Sequence, residues 1–195
     1  VPRTDMLLRC LTAMSWMHTM SPDFFSALLF PTEAPGLAPL DERMELPYAV
    51  GLNTEQLSFV RTAVQRTLQP EWETARAPIV LTGPAGTGKT KTLLCAIRQI
   101  LALRSTSQRV RVLLCTSSHT AANVVVRRLS EFCTNKQVFR LYNADRPVAT
   151  VPVHILPFCR QEERTGFFAL PDLDELLSFD IIVCTCFDAH FLYLA

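Results

Sequence analysis

Glycine is scarce in this chain, with 6 residues in 195, and lysine is scarcer: only Lys89, Lys91 and Lys136 are present. Charge of one sign is missing too, because Lys+Arg 19 against Asp+Glu 18 leaves a formal net charge of +1. That balance excludes bulk attraction to a polyanion, so any nucleic acid must be gripped by a local surface. No apolar run approaches the roughly 18 to 20 residues that span a bilayer, and no membrane partner is expected. The longest apolar run, residues 24–30, is core-sized. The N-terminus lacks an initiator methionine, and Asp5 and Arg9 interrupt the apolar positions a signal peptide needs. The chain reads as cut from a longer one. None of the seven cysteines forms a Cys-x-x-Cys pair, so they read as reduced core thiols of an intracellular protein. What is there is 49% hydrophobic and 19% charged, which excludes disordered and collagen-like classes. The length suits one hydrophobic core with a helical extension.

Residues 4–30 show Met6, Leu7, Cys10, Met14, Met17 and Met20 at mostly helical spacing, with a restart at Ser21-Pro22-Asp23. Prolines 31, 35, 39 and 47 then mark an extended linker. Asn53 is placed to cap a helix over 54–68, with Leu57, Val60, Val64 and Leu68 on one face. Strands are expected at 79–81, 111–115, 138–142 and 180–186, and helices at 89–103 and 119–132. Short apolar runs alternating with helices predict an α/β fold with a parallel sheet covered on both faces. No internal repeat is visible.

The chemistry concentrates in Gly83-Pro84-Ala85-Gly86-Thr87-Gly88-Lys89-Thr90, an ungapped match to G-x-x-x-x-G-K-[ST]. A polyphosphate must be held without water's full solvation. Glycines let successive backbone N–H groups turn inward, and the following helix adds its positive end. Lys89 is expected to reach the β- and γ-phosphates. The Thr90 hydroxyl is expected to ligate Mg²⁺, and Lys91 to line the same site. ATP and Mg²⁺ are the cofactors this loop implies.

The flanks narrow the class. Leu52-Asn53-Thr54-Glu55-Gln56, 27 residues before Gly83, resembles the Q-motif of superfamily 1 helicases, whose glutamine amide bonds a donor and an acceptor on adenine. Residues 113–123, Leu-Leu-Cys-Thr-Ser-Ser-His-Thr-Ala-Ala-Asn, resemble motif Ia, with His119 where that pattern has Asn and Asn123 where it has Asp. Residues 138–142 resemble motif Ib, and residues 180–186 resemble motif Ic, whose threonine contacts the tracked strand. Together, residues 47–195 resemble the first RecA-like domain of an Upf-like superfamily 1B RNA helicase. The long spacer holding Val153-His154 and Phe167-Phe168 points to the zinc-finger-helicase and silencing-helicase branch. Residues 1–46, with Leu29-Phe30-Pro31, are similar to the helical stretch and linker ahead of that core.

The resemblance implies a P-loop NTPase fold with a RecA-like parallel sheet, and an ATP-dependent motor that translocates on single-stranded RNA. It implies nucleic-acid contacts at Ser118, Thr120, Asn123 and Thr185, a second RecA-like domain as partner, and a cytoplasmic or nuclear location. The readings beside it are a non-catalytic nucleotide-binding regulatory or coactivator module, and a DNA helicase or other P-loop ATPase. Hydrolysis needs one carboxylate on Mg²⁺ and one orienting water. Asp188 follows a strand but is succeeded by Ala189, so it reads either as a degenerate metal-holding acid or as a residue after motif Ic. In the second, preferred reading the acidic motif lies beyond Ala195, and the chain alone turns over little ATP.

Overall fold

A computed structural model describes residue 41 and residues 43–68, 78–103, 110–162 and 164–194. The helical reading of residues 4–30 lies outside the described residues. The structure divides into two compact units, Val1–Ile100 and Leu101–Ala195.

In the first unit, helix α1 spans Thr54–Leu68 and buries Val60, Val64 and Gln65 along one stripe. Helix α2 spans Lys89–Leu103 and buries Thr92, Leu94, Ala96, Ile97, Gln99 and Ile100. Gln99 is a polar residue on that apolar face, and its amide stitches the chain ahead of α1 to α2. Its Oε1 accepts from Tyr48 N–H (3.3 Å) and its Nε2 donates to Glu45 O (3.3 Å). The Arg98 guanidinium lies over the Tyr48 ring at 4.2 Å.

Residues 79–81 do not form the expected strand; residues 78–84 carry no regular structure, and Val80 is 72% exposed. A β-branched run supplies only propensity. Strand status also needs a neighbour to take its N–H and C=O groups. The described residues of this unit contribute helices and turns and no strand.

The second unit is built on three parallel strands, β1 (Val112–Thr116), β2 (Val138–Arg140) and, later in the chain, β5 (Ile181–Thr185). Their order is β1-β5-β2, with Val112 and Val138 both opposite Ile181 and Thr116 opposite Thr185. Helix α3, His119–Leu129, crosses between β1 and β2 and buries Ala122, Val125, Val126 and Leu129. Strand alternation puts Val138, Arg140, Ile181 and Val183 on the α3 side. The opposite side holds Phe139, Leu141, Cys184 and Leu176, with Phe179, Ile182, Ala189 and Leu192 packed against them. Between β2 and β5 come a small hairpin, β3 (Gln161–Glu162) with β4 (Phe167–Phe168), and helix α4 (Leu173–Ser178), capped by Asp172.

This is the mixed α/β architecture of a P-loop RecA-like domain, with a parallel sheet flanked by helices. β2 and β5 are buried on both sides, as a sheet covered on both faces requires, and Arg140 is the one charge among their side chains. β1 and β2 are the two edges of the described sheet, and β1 is the more open, with Leu113 52% exposed. Among the described residues, no helix is long and apolar enough to cross a membrane.

Candidate nucleotide and nucleic-acid sites

The glycine-rich loop occupies residues 83–88 and runs directly into α2. Gly86 (φ 81°) and Gly88 (φ 83°) take left-handed backbone that side chains disfavour. A Cβ on Gly88 would also stand 3.2 Å from Gln56 Nε2, a tight approach that the glutamine amide would have to yield to. Lys89 Nζ donates to Gly83 O (2.7 Å) and Pro84 O (2.6 Å), and Thr87 Oγ1 donates to Pro84 O (2.9 Å). The lysine thus curls the loop around its own ammonium. Thr90 is exposed in the first turn of α2, and that turn holds no acidic residue, so nothing there repels an anion. Lys91, expected to line the same site, donates to Gly51 O at 3.0 Å.

Gln56 is tied at both ends of its amide. Asn53 Oδ1 accepts from Gln56 N–H (2.9 Å), while Gln56 Oε1 accepts from Asn53 N–H (3.0 Å), a reciprocal capping box. The same side chain's Nε2 donates to Thr87 O at 3.0 Å. One residue therefore closes the start of α1 and fastens it to the phosphate loop. The residues present fit a nucleotide phosphate chain with its Mg²⁺: a curled loop, a lysine within it, a hydroxyl on the first helical turn and a helix of 15 residues behind.

In the second unit, the turn from β1 into α3 presents Ser117, Ser118 and Thr120 to solvent. Ser118 is the N-cap of α3, its Oγ accepting from Ala121 N–H at 3.2 Å, and Thr116 Oγ1 donates to Ser118 O at 2.9 Å. Asn123 and Thr185 are placed differently. Asn123 Oδ1 accepts from Tyr142 Oη (2.6 Å) and Arg140 Nε (3.3 Å). Thr185 is buried, and its Oγ1 accepts from Asp188 N–H at 3.0 Å.

Sequence reasoning missed the residue at the middle of this arrangement. Arg140 has no exposed surface, yet it is a cation in a three-residue strand. A charge inside the apolar run 138–142 was the available signal. Its Nη1 donates to Leu141 O and Val183 O, and Nη2 lies 3.1 Å from His119 Nδ1. A guanidinium has no acceptor, so Nδ1 is the acceptor and the ring is held neutral. Burial, then the cations of Arg146 and Arg140, push the His119 pKa below its ordinary 6.5, against the opposing pull of Asp188. Asp188 is 1% exposed; its Oδ2 accepts no hydrogen bond and lies 3.8 Å from His119 Nδ1. Its carboxylate therefore faces the imidazole of a buried cationic network. Among the described residues no group of three His, Cys, Asp or Glu side chains gathers to hold a metal.

Residues 51–165, more than half of the chain, match the AAA domain family. The chain is 29% identical over 177 residues to a Danio rerio protein named as a helicase of the mov-10 group, covering 88% of this chain and 16% of that protein. It is 32% identical over 144 residues to the Mus musculus protein named RNA helicase Mov10l1, covering 73% of this chain and 11% of that one. A Homo sapiens protein named as a helicase with a zinc finger domain is 31% identical over 120 residues, 59% of this chain and 6% of its own length. The chain thus spans less than a fifth of these curated relatives. No solved structure matches it at a significant level. The loop, the parallel sheet and these relatives agree: the chain belongs to the AAA domain family, in the form found in Upf-like superfamily 1 helicases, and is similar to the mov-10 and zinc-finger helicases.

Proposed function

We propose that these residues form part of the motor core of an ATP-dependent RNA helicase, in which ATP binding and hydrolysis drive movement along single-stranded RNA. The observation that carries it is the joined unit of Gln56 and the glycine loop, with Gln56 Nε2 on Thr87 O at 3.0 Å. A nucleotide-reading side chain is fastened to the phosphate loop, so base and phosphate recognition are mechanically one element.

Bound Mg²⁺ supplies charge neutralisation between the phosphates. This chain's own residues do the rest of the binding. Lys89, the backbone N–H groups of residues 86–90 and the Thr90 hydroxyl would hold the phosphates and their Mg²⁺. Gln56, bonded to Asn53 and Thr87, would offer its amide to adenine. In this reading the metal-holding acid and the water-orienting glutamate come from a further segment of the full protein. The arginine that stabilises transferred charge comes from a second RecA-like domain. Asp188 is followed by Ala189 and faces His119, so it is not assigned the acid's role.

RNA is proposed to run along the turn carrying Ser118 and Thr120, whose small hydroxyls suit backbone contacts that carry no sequence information. The name of the mouse relative, an RNA helicase, supports RNA. The test is displacement of streptavidin from the end of a biotinylated single-stranded RNA by the full-length protein with ATP. ATP-dependent displacement supports the reading. Equal displacement from DNA would move the assignment to a DNA motor, and nucleotide binding with neither hydrolysis nor displacement would make the protein a nucleotide-binding module.

A further inference from the structure

We propose that Arg140 is a positioning residue for the RNA-contacting wall, locking the first turns of α3 to the middle of β5 through one buried guanidinium. The inference rests on the RNA reading above, because it explains how Ser118 and Thr120 are held in place.

Three chain segments meet at this side chain. From α3 come Asn123 Oδ1, 3.3 Å from Nε, and His119 Nδ1, 3.1 Å from Nη2. From β5 comes Val183 O, 3.3 Å from Nη1, and from the residue after β2 comes Leu141 O. Tyr142 backs the guanidinium with its ring at 3.9 Å and donates its hydroxyl to the same Asn123 oxygen at 2.6 Å. The Tyr142 ring also stacks with His119 at 5.5 Å and with Phe168 at 4.6 Å. Asp188, just past β5, sets its carboxylate beside His119.

Stability alone does not account for this choice. A buried cation loses several kcal/mol of hydration, and apolar side chains of similar volume commonly serve a core as well or better. What a guanidinium offers is a flat, rigid fork of donors that fixes the distance and angle between the elements it touches. Here those elements are the helix whose N-cap is Ser118 and the strand whose last residue is Thr185. Asn123, expected to touch nucleic acid, spends its oxygen inside this lock, and Thr185 spends its hydroxyl on Asp188 N–H.

The test uses the full-length protein and reads two quantities from the ATPase assay: the RNA concentration for half-maximal stimulation and the KM for ATP at saturating RNA. Arg140→Met and Asn123→Leu are expected to raise the RNA half-saturation by about tenfold, and Tyr142→Phe by about threefold, the worth of one or two hydrogen bonds. The KM for ATP stays within about twofold in the same variants, since a guanidinium that only packs would not separate the two quantities. Asn123→Asp, which keeps the acceptor oxygen, restores RNA half-saturation to near the wild-type value. Folded variants that keep wild-type RNA half-saturation would overturn the proposal. If Arg140→Met does not fold, Asn123→Leu and Tyr142→Phe decide it by the same criterion. Ser118→Ala with Thr120→Ala separates the two readings. If that pair weakens RNA binding while the network variants do not, the positioning role alone is wrong. If the pair also leaves RNA binding unchanged, the wall itself is misassigned and both readings fall.

Discussion

Gly88 is the residue where backbone and side-chain geometry coincide. Its φ of 83° disfavours any Cβ, and the Cβ would press on Gln56 Nε2 at 3.2 Å. Gly88→Ala is expected to lose about 1 to 3 kcal/mol of local stability and to weaken nucleotide binding, which a fluorescent-nucleotide titration beside a thermal melt would show. Wild-type binding in that variant would mean the loop tolerates what its geometry disallows. Gln56→Ala removes the capping-box acceptor, the link to Thr87 and the proposed adenine contact together. The loss should fall on discrimination between ATP and GTP; identical competition by both nucleotides before and after the change would remove Gln56 from base reading. His119 sets a pH dependence. Its folded pKa lies below 6.5, so the unfolded chain takes up the proton first. Stability owed to neutral His119 is complete above about pH 6.5 and declines as pH drops through that value toward the folded pKa. The groups facing it are Arg140, Arg146, Asp188 and Tyr142. Melting temperatures from pH 8 to pH 5 should fall further for the wild type than for His119→Gln. Parallel curves would assign the acid sensitivity elsewhere.

At the scale of elements, α3 does two jobs with one residue, since Ser118 both caps the helix and faces solvent. Ser118→Ala should cost about 0.5 to 2 kcal/mol of stability from the lost cap. Ser118→Asp keeps a capping oxygen but adds negative charge where phosphate would pass. Denaturation and RNA titration of the pair therefore separate structure from binding: the aspartate variant should stay stable and lose RNA affinity, and equal RNA affinity in both would confine Ser118 to capping. Element boundaries also show what was legible in advance. The helices at 54–68 and 89–103 and the strand near 181–185 were readable because their apolar periodicity is local. The capping box between Asn53 and Gln56 was equally local, yet only its Asn half was read. Residues 79–81 looked like a strand, but a strand is completed by another segment's hydrogen bonds, which no short run of side chains announces. Arg140 was hidden for the same reason: its partners come from positions 119, 123, 141 and 183, which only the folded sheet brings together.

At the scale of the whole molecule, the phosphate loop was the most legible feature because phosphate chemistry dictates both residue type and spacing within eight positions. The proposed nucleic-acid wall was less legible, since small hydroxyls serve caps and backbones alike and only exposure separates Ser118 and Thr120 from buried Thr185. The central claim is that the Lys89 loop is the nucleotide site of a helicase motor. The measurement that tests it most directly is the ATPase rate of the full-length protein at saturating single-stranded RNA, wild type against Lys89→Ala. The account predicts RNA-stimulated hydrolysis in the wild type and a loss of about 100-fold or more in the variant, as expected when a preorganised donor to transferring charge is removed. An unchanged rate in folded Lys89→Ala would contradict it.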